Sequence, residues 1–485
     1  MKNVRIEKNN SRLHSFLENF IFSFSSNLFS FLTSAIIALI IPRFLGVTEY
    51  GYWQLYFLYI SYTNLIQMGW CDGVYLRYGG KEYEKLNKGL IGSQFWYLLF
   101  FSIIFLFTLL VPLTYFKFEF VNVHLIFFAL IVSFINNPGG ILYYILQATN
   151  NIKKYAKIVM IDRSFFLIVL AIFLITGNKN YHFIIISDII GKLCAFSLAV
   201  YYCKDIVFTK ITNFKESIIE ALRNINAGFK LMIANIASQL ILGIIRLNIN
   251  NYWGIDVFGK VSLTLSISGI FMIFINAMSM IIFPLLRRIS NKYLSAMYNN
   301  IRTILMIPIM FILIFFYPLK QIITLWLPQY SEGLIYMTLL FPIIIYESKM
   351  SLLVNTYLKA LRKEKQMLII NIVAVALSFT ISYITVYIYN DLDLTIISIV
   401  FILAFRCILA DLYVSILLKV NVNKDIILEL MMSIIFILSN WYAGGWLGVG
   451  AYFIAYIIYL LIKRKDIIIT YIELKSLNQK ININE

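Results

Sequence analysis

The sequence predicts an all-α, polytopic membrane protein. Three observations carry this. Of 485 residues, 61% are hydrophobic and only 13% charged, whereas ordinary soluble domains carry about 25% charged residues. Mean hydropathy is +0.81, and 40 Phe with 33 Tyr fit no water-soluble globule. Apolar runs of roughly 20 residues, the length a helix needs to cross a bilayer, recur along the chain. Together these exclude a cytosolic enzyme, a disordered chain and a secreted disulfide scaffold.

A basic tail over 1–16 is followed by an apolar run longer than a signal-peptide core and without a clear A-x-A site, so it reads as a first, uncleaved span. Cutting at charged or Gly/Pro-rich breaks gives about fourteen transmembrane helices. The first six lie near 17–41, 52–70, 91–115, 123–149, 158–176 and 183–202. The longest non-spanning stretch, 203–227, reads as a linker with an interfacial helix over Phe214–Ile225. Six more spans follow near 228–251, 261–284, 303–326, 334–358, 367–389 and 395–418. The last two, 427–443 and 446–462, form a C-terminal hairpin that either spans twice or re-enters, ahead of a tail over 463–485.

An even number of spans puts both tails on one side. Thirty-one of the 41 Lys and Arg fall in the segments on that side, five fall in the alternate loops and five inside spans. Such a split places both termini in the cytoplasm. It also accounts for most of the +17 net charge without a nucleic-acid partner.

The halves repeat. Gly46-Val-Thr-Glu-Tyr-Gly51 follows the first span, and Gly254-Ile-Asp-Val-Phe-Gly259 follows the seventh, 208 residues on. Leu146-Gln-Ala148 and Leu358-Lys-Ala360 follow the fourth and tenth, 212 apart, each trailed by basic residues. The expectation is an N-lobe over 17–202 and a C-lobe over 228–418, two six-helix lobes in pseudo-twofold repeat, with 419–462 as an appendix. Repeats in transporters place the substrate route at the repeat interface.

Cys71, Cys194, Cys203 and Cys407 form no C-x-x-C pair, and the three His lie far apart. Neither a metal site nor a redox cofactor is expected. The segment Gly254–Val261 nearly matches a phosphate-binding loop, but Val261 stands where Ser or Thr is required and no strand precedes it.

Charge inside a bilayer is costly and usually faces the bundle interior. Arg163, Lys192, Arg246, Lys349 and Arg406 sit in five different spans and would suit an anionic cargo. An Arg fork suits phosphate because it donates two parallel hydrogen bonds. Asp162, Glu347 and Asp411 are candidates to bind a driving ion, or else hold the bases in place. Asp188 lies four residues before Lys192 on one helix face, so that pair can neutralise itself. Pro138, in Asn136-Asn-Pro-Gly-Gly140, predicts a hinge or packing kink mid-span, and Pro308, Pro318 and Pro342 predict kinks in the ninth and tenth spans.

Ile41–Tyr56 (IPRFLGVTEYGYWQLY) and Gly69–Tyr83 (GWCDGVYLRYGGKEY) resemble the segments around the first loop and second span of Wzx-type polysaccharide flippases, within the multidrug/oligosaccharidyl-lipid/polysaccharide exporter superfamily. The resemblance covers about the first 90 residues. It implies alternating access around a cationic cavity between two six-helix lobes, in the bacterial cytoplasmic membrane. The implied cargo is an undecaprenyl-diphosphate-linked oligosaccharide bound for O antigen, capsule or exopolysaccharide. Membrane lipid, a polymerase and chain-length proteins are the implied partners. Asp72, Gly73, Arg77, Gly79 and Gly80 are the motif positions that carry over, at the cytoplasmic end of the second span. Two other readings stand beside it. A membrane polymerase or ligase needs a sizeable outer loop, which the spacing does not supply. A drug exporter of the same superfamily, with cationic cargo, would want acids rather than bases within its spans.

Overall fold

The computed structural model describes residues 28–29, 31–115, 120–288 and 291–483. The predicted tail 1–16 and residues 17–27 and 30 of the first predicted span lie outside these residues. The described chain is a succession of helices, with no strand among the described residues.

The first seven helices are α1 (Phe31–Leu45), α2 (Val47–Tyr62), α3 (Trp70–Tyr78), α4 (Lys88–Tyr115), α5 (Phe120–Ala148), α6 (Ile152–Ile175) and α7 (Tyr181–Tyr202). A run over Phe214–Arg288, α8, holds one non-helical residue, Gly254. Then come α9 (Asn291–Ile312), α10 (Phe316–Trp326), α11 (Gly333–Leu340), α12 (Ile343–Ala360), α13 (Glu364–Ile388), α14 (Leu392–Leu418), α15 (Asn423–Ala443) and α16 (Gly445–Ile483).

Ten of the described segments are long and apolar enough to cross a membrane, and α11 with α12, bent by 46°, makes an eleventh. This is an all-α polytopic membrane protein. Eleven differs from about fourteen for identifiable reasons. The seventh predicted span and the first half of the eighth lie within the single run Phe214–Met272. The helix α2 covers the second predicted span with only 16 residues, too few to cross alone. Residues 17–27 of the first predicted span are not described.

The chain divides into two compact units, one up to Gln239 and one from Leu240. In the first, α6 lies along α7, and α5 packs against α2, α3, α4 and α7. Its interior includes Trp70, Val74, Phe95, Leu142 and Leu146. In the second, α14 packs against α11, α12 and α13, while α16 lies on α9 and α15.

Local backbone repeats between the units. Gly46 has φ 88° and ψ 168°; Gly254 has φ 85° and ψ 176°. That region of conformational space is essentially restricted to glycine. Past the ends of α5 and α12, Asn150 and Arg362 are left-handed, with φ 60° and 57°. After α7's predecessor and after α13, Gly177 and Asn390 are left-handed as well. The first two pairs fall at the 208- and 212-residue offsets read from the motifs.

The prolines behave unequally. At Pro138, α5 continues as one helix. Pro308 likewise lies inside α9. Pro318 occupies the first turn of α10, where a missing N–H is tolerated. Pro342 sits at the 46° bend between α11 and α12. The linker predicted over 203–227 contains a short turn, Lys204–Val207, and then the start of α8, which runs on without interruption to Gly254.

Candidate functional site

In the first unit the intramembrane charges gather on α6 and α7. Asp188 and Lys192, one turn apart, form an ion pair. The Tyr56 hydroxyl of α2 donates to the other Asp188 oxygen at 2.8 Å. Asp188 is 3% exposed, and one contact to each of its two oxygens leaves neither without a donor. Close approach of the two helices rests on Gly191, where a Cβ would lie 2.6 Å from the Asp162 carbonyl oxygen. Asp162 and Arg163, adjacent in sequence, meet only at 4.0 Å, and both are partly exposed. Glu49, the acid inside the first glycine motif, accepts from the Tyr181 backbone N–H at 2.6 Å and so ties α2 to the start of α7.

The second unit holds a larger and drier cluster. Arg302 of α9 donates to Asp411 of α14 at 2.7 Å and to Glu429 of α15 at 3.0 and 3.1 Å. Lys349 of α12 pairs with both carboxylates, at 2.7 Å from Asp411. Tyr298, one turn before Arg302, donates to Asp411. Lys463 of α16 pairs with Asp425 of α15, which lies 3.5 Å from Arg302. Three cations and three carboxylates from five helices thus meet in one network. Arg302, Lys349, Asp411 and Glu429 are each no more than 3% exposed. Lys349 opens a π-helical turn, Lys349–Val354, an irregularity that often marks functional sites.

The other candidates in this unit lie apart from that network. Arg406 pairs with Glu347 at 2.7 Å rather than with Asp411, five residues along its own helix. Arg246 spans the Gly254 break: its guanidinium donates to the Ser262 hydroxyl at 2.9 Å and lies 5.1 Å from the Phe258 ring centre. Of the five bases singled out from sequence, Lys192, Lys349 and Arg406 hold carboxylates at hydrogen-bond distance. Arg163 and Arg246 are half-buried and present part of their surface outward. Four members of the large network, Arg302, Asp425, Glu429 and Lys463, are not among the sequence candidates: Arg302, Asp425 and Lys463 stand at the ends of apolar runs, whereas Glu429 is a lone acid within the run 427–443, which is the available signal.

The motif residues 72–80 serve a junction in the first unit. Gly73 lies so near α8 that a Cβ would sit 1.8 Å from the Asn224 carbonyl oxygen, and at Gly69 one would sit 2.7 Å from the Gly228 backbone. Arg77 donates to the Asn224 side chain and pairs with Glu220 at 2.8 Å. Tyr78 donates to the same Glu220 at 2.8 Å. Gly79 ends α3, and the Gly80 N–H then donates to the Ala148 carbonyl at 2.9 Å, closing α3 onto the end of α5. Asp72 is buried in the first turn of α3. Next to this junction Asp205 accepts from Tyr83 at 2.8 Å and pairs with Lys88 at 2.6 Å. Burial alone would raise the Asp205 carboxyl, but the Lys88 and Tyr83 hydrogen bonds outweigh it and hold it below the usual range. Burial pushes the neighbouring Cys203 thiol up to about 11, so it stays protonated.

No protein-family model matches the chain, and no curated protein matches it in sequence. Solved structures do match. The lipid II flippase MurJ in an inward closed conformation aligns with a TM-score of 0.64 at 12% identity, over 93% of this chain and all of that one. An inward-facing multidrug resistance MATE family transporter of the MOP superfamily aligns at 0.63 and 12% identity, over 82% of this chain and 98% of that one. A MOP superfamily transporter from Pyrococcus furiosus aligns at 0.53 and 13% identity, over 83% and 94%. The chain therefore has the fold seen in MOP superfamily transporters.

Proposed function

We propose that this chain is a flippase that moves an undecaprenyl-diphosphate-linked oligosaccharide across the bacterial cytoplasmic membrane by alternating access. One observation carries the choice of a lipid-linked cargo. The MATE alignment covers 82% of the chain, whereas the lipid II flippase alignment covers 93% of it and the whole flippase. The glycine-rich segments Ile41–Tyr56 and Gly69–Tyr83 support the same class. Both termini face the cytoplasm in this reading, and a polymerase and chain-length proteins act on the exported unit.

Arg163, Lys192, Arg246 and Arg406 meet the diphosphate, as planar or point cations suited to phosphate oxygens. Lys349 acts within the ion network of the second unit. Asp162 and Glu347 are the coupling candidates, because each carboxylate keeps some exposure; Asp411 has none.

The test is a deletion in the source bacterium, with the lipid-linked unit located by a membrane-impermeant lectin on spheroplasts. The expected result is intact repeat unit protected on the inner face, re-exposed by the plasmid-borne chain and by none of its Arg246→Ala or Arg406→Ala variants. Single units already outside but unpolymerised would replace the flippase with a polymerase. Unchanged glycan with lost drug resistance would replace it with a drug exporter.

A further inference from the structure

Arg246 owes its surroundings to the break at Gly254. In one straight helix a residue sixteen positions on lies about 24 Å further along the axis, and one twelve on about 18 Å. Both are beyond the reach of a side chain. Yet the Arg246 guanidinium donates to the Ser262 hydroxyl at 2.9 Å and lies 5.1 Å from the Phe258 ring centre. The chain therefore folds back at Gly254, whose φ of 85° and ψ of 176° lie outside the helical region. Arg246 and Ser262 each stand eight residues from that turn, and so come level on its two arms.

The walls around the guanidinium are fixed. Phe258 and Ser262 are each 1% exposed. On the other arm Ile245 and Ile249 are buried, and Asn248 donates to Ser382 of α13 at 2.7 Å. Arg246 keeps partial exposure between them. The kind of partner matters as well. Carboxylates hold Lys192, Lys349 and Arg406, and each sets an opposite charge against its base. A ring face attracts a cation through its quadrupole, and a hydroxyl accepts one hydrogen bond. Neither of these cancels the charge it orients. The guanidinium carries five N–H donors in a rigid fork, and the Ser262 bond uses one of them.

We propose that Phe258 and Ser262 are positioning residues that together hold the Arg246 fork in one orientation toward the diphosphate of the cargo. This role rests on the cargo-binding place given to Arg246 above. An untethered arginine side chain gives up rotamer freedom when it meets a phosphate. One that is already held gives up less, and the difference appears as affinity. Both residues act through Arg246, without touching the cargo themselves.

The experiment uses the full chain in detergent and two readouts. The first is the dissociation constant for undecaprenyl diphosphate, by native mass spectrometry. Ser262→Ala and Phe258→Leu should each weaken binding about three- to tenfold, and Ser262→Thr, which keeps the hydroxyl, should bind like the unaltered chain. Neither change should weaken binding further in an Arg246→Ala chain, whereas a merely structural effect would add to it. The second readout is the rate at which phenylglyoxal modifies Arg246, followed by peptide mass spectrometry, and it needs no cargo. That rate should rise severalfold in Ser262→Ala and Phe258→Leu and return in Ser262→Thr. Should Phe258→Leu not fold, Ser262→Ala carries both readouts. An unchanged modification rate would overturn the positioning role. So would unaltered affinity in both variants beside a weakened Arg246→Ala chain, or a further loss within that chain. Faster modification, with diphosphate binding unaltered by Arg246→Ala, would overturn the cargo role of Arg246 while the hold on its side chain stands.

Discussion

The two units share their turns and differ in their charges. Each breaks its chain at a glycine with φ near 85° and again at a left-handed residue about 100 positions later. Yet on α6 and α7 the first unit pairs its charges locally, Asp188 with Lys192 on one helix, leaving Arg163 and Asp162 partly exposed. The second draws Arg302, Lys349, Asp411, Asp425, Glu429 and Lys463 from five helices into a network of which only Asp425 keeps appreciable exposure. In a bilayer, helices gain nothing by hiding apolar faces from one another, because lipid is equally apolar. Polar contacts are then one of the few means of fixing which helix lies where. The second unit uses them to fasten α15 and α16, which have no counterpart in the first.

If that contrast is real, the largest effect falls in the second unit. Lys349→Met leaves Asp411 and Glu429 sharing Arg302 alone, and should cost about 3–5 kcal/mol, the usual penalty for breaking a buried ion pair. Thermal unfolding in detergent would read it, and Lys349→Met with Glu429→Gln should recover a large part. A small loss in the single variant would mean the network is no fastener.

Next comes the local pair of the first unit. Lys192→Met should cost about 1.5–3 kcal/mol, the range for a hydrogen bond to a charged group. Less is expected than for Lys349 because the Lys192 side chain is 14% exposed and water can replace part of what is lost. A double-mutant cycle with Asp188→Asn should show coupling. A cost equal to that of Lys349→Met would erase the distinction between the units.

Gly73→Ala tests the junction between α3 and α8 in the first unit. The added methyl must displace Asn224 backbone rather than a flexible side chain, and overpacking of this kind costs about 1–3 kcal/mol. The matching readout is a lowered midpoint with no change in the Lys349 response.

The smallest effect concerns pH. The folded Asp205 carboxyl is held below its unfolded value near 3.9. A depressed carboxylate stabilises the fold above the unfolded value and loses that contribution as pH falls through the folded one. Because the Lys88–Asp205 pair is about a third exposed, solvent screening limits it to about 0.5 kcal/mol. Asp205→Asn should lower stability by that much at pH 7, and the difference from the unaltered chain should close as pH falls through the folded carboxyl's range.

Much of this was legible in the residues. The composition gave the class, and the spans followed from 20-residue apolar runs. The Gly46 and Gly254 motifs marked breaks because glycine alone tolerates those angles, and the four-residue spacing of Asp188 and Lys192 foretold their pairing. What was hidden depended on packing between distant segments. Arg302 stands at the edge of an apolar run, where a base is equally at home among headgroups, and only α14 and α15 make it buried. At Pro138, read as a hinge or a packing kink, α5 runs on as one helix, and what surrounds the missing bond decides that continuity. The continuation of the interfacial helix into the seventh span was invisible because polar residues such as Asn224 and Glu220 looked like solvent-facing linker, when their partners are Gln94, Arg77 and Tyr78.

The break at Gly254 has a stereochemical consequence. A methyl group built there would meet nothing within 4 Å, so the position is roomy. What it forbids is handedness. An L-alanine cannot hold φ 85° with ψ 176°, but the mirror image of those angles lies in the broad extended region that every L-residue enjoys. D-alanine would therefore fit where L-alanine does not, and Gly46, with φ 88° and open space of its own, obeys the same rule. At these two points ribosomal chemistry offers glycine and no substitute, while a chemically assembled chain could carry a side chain at both.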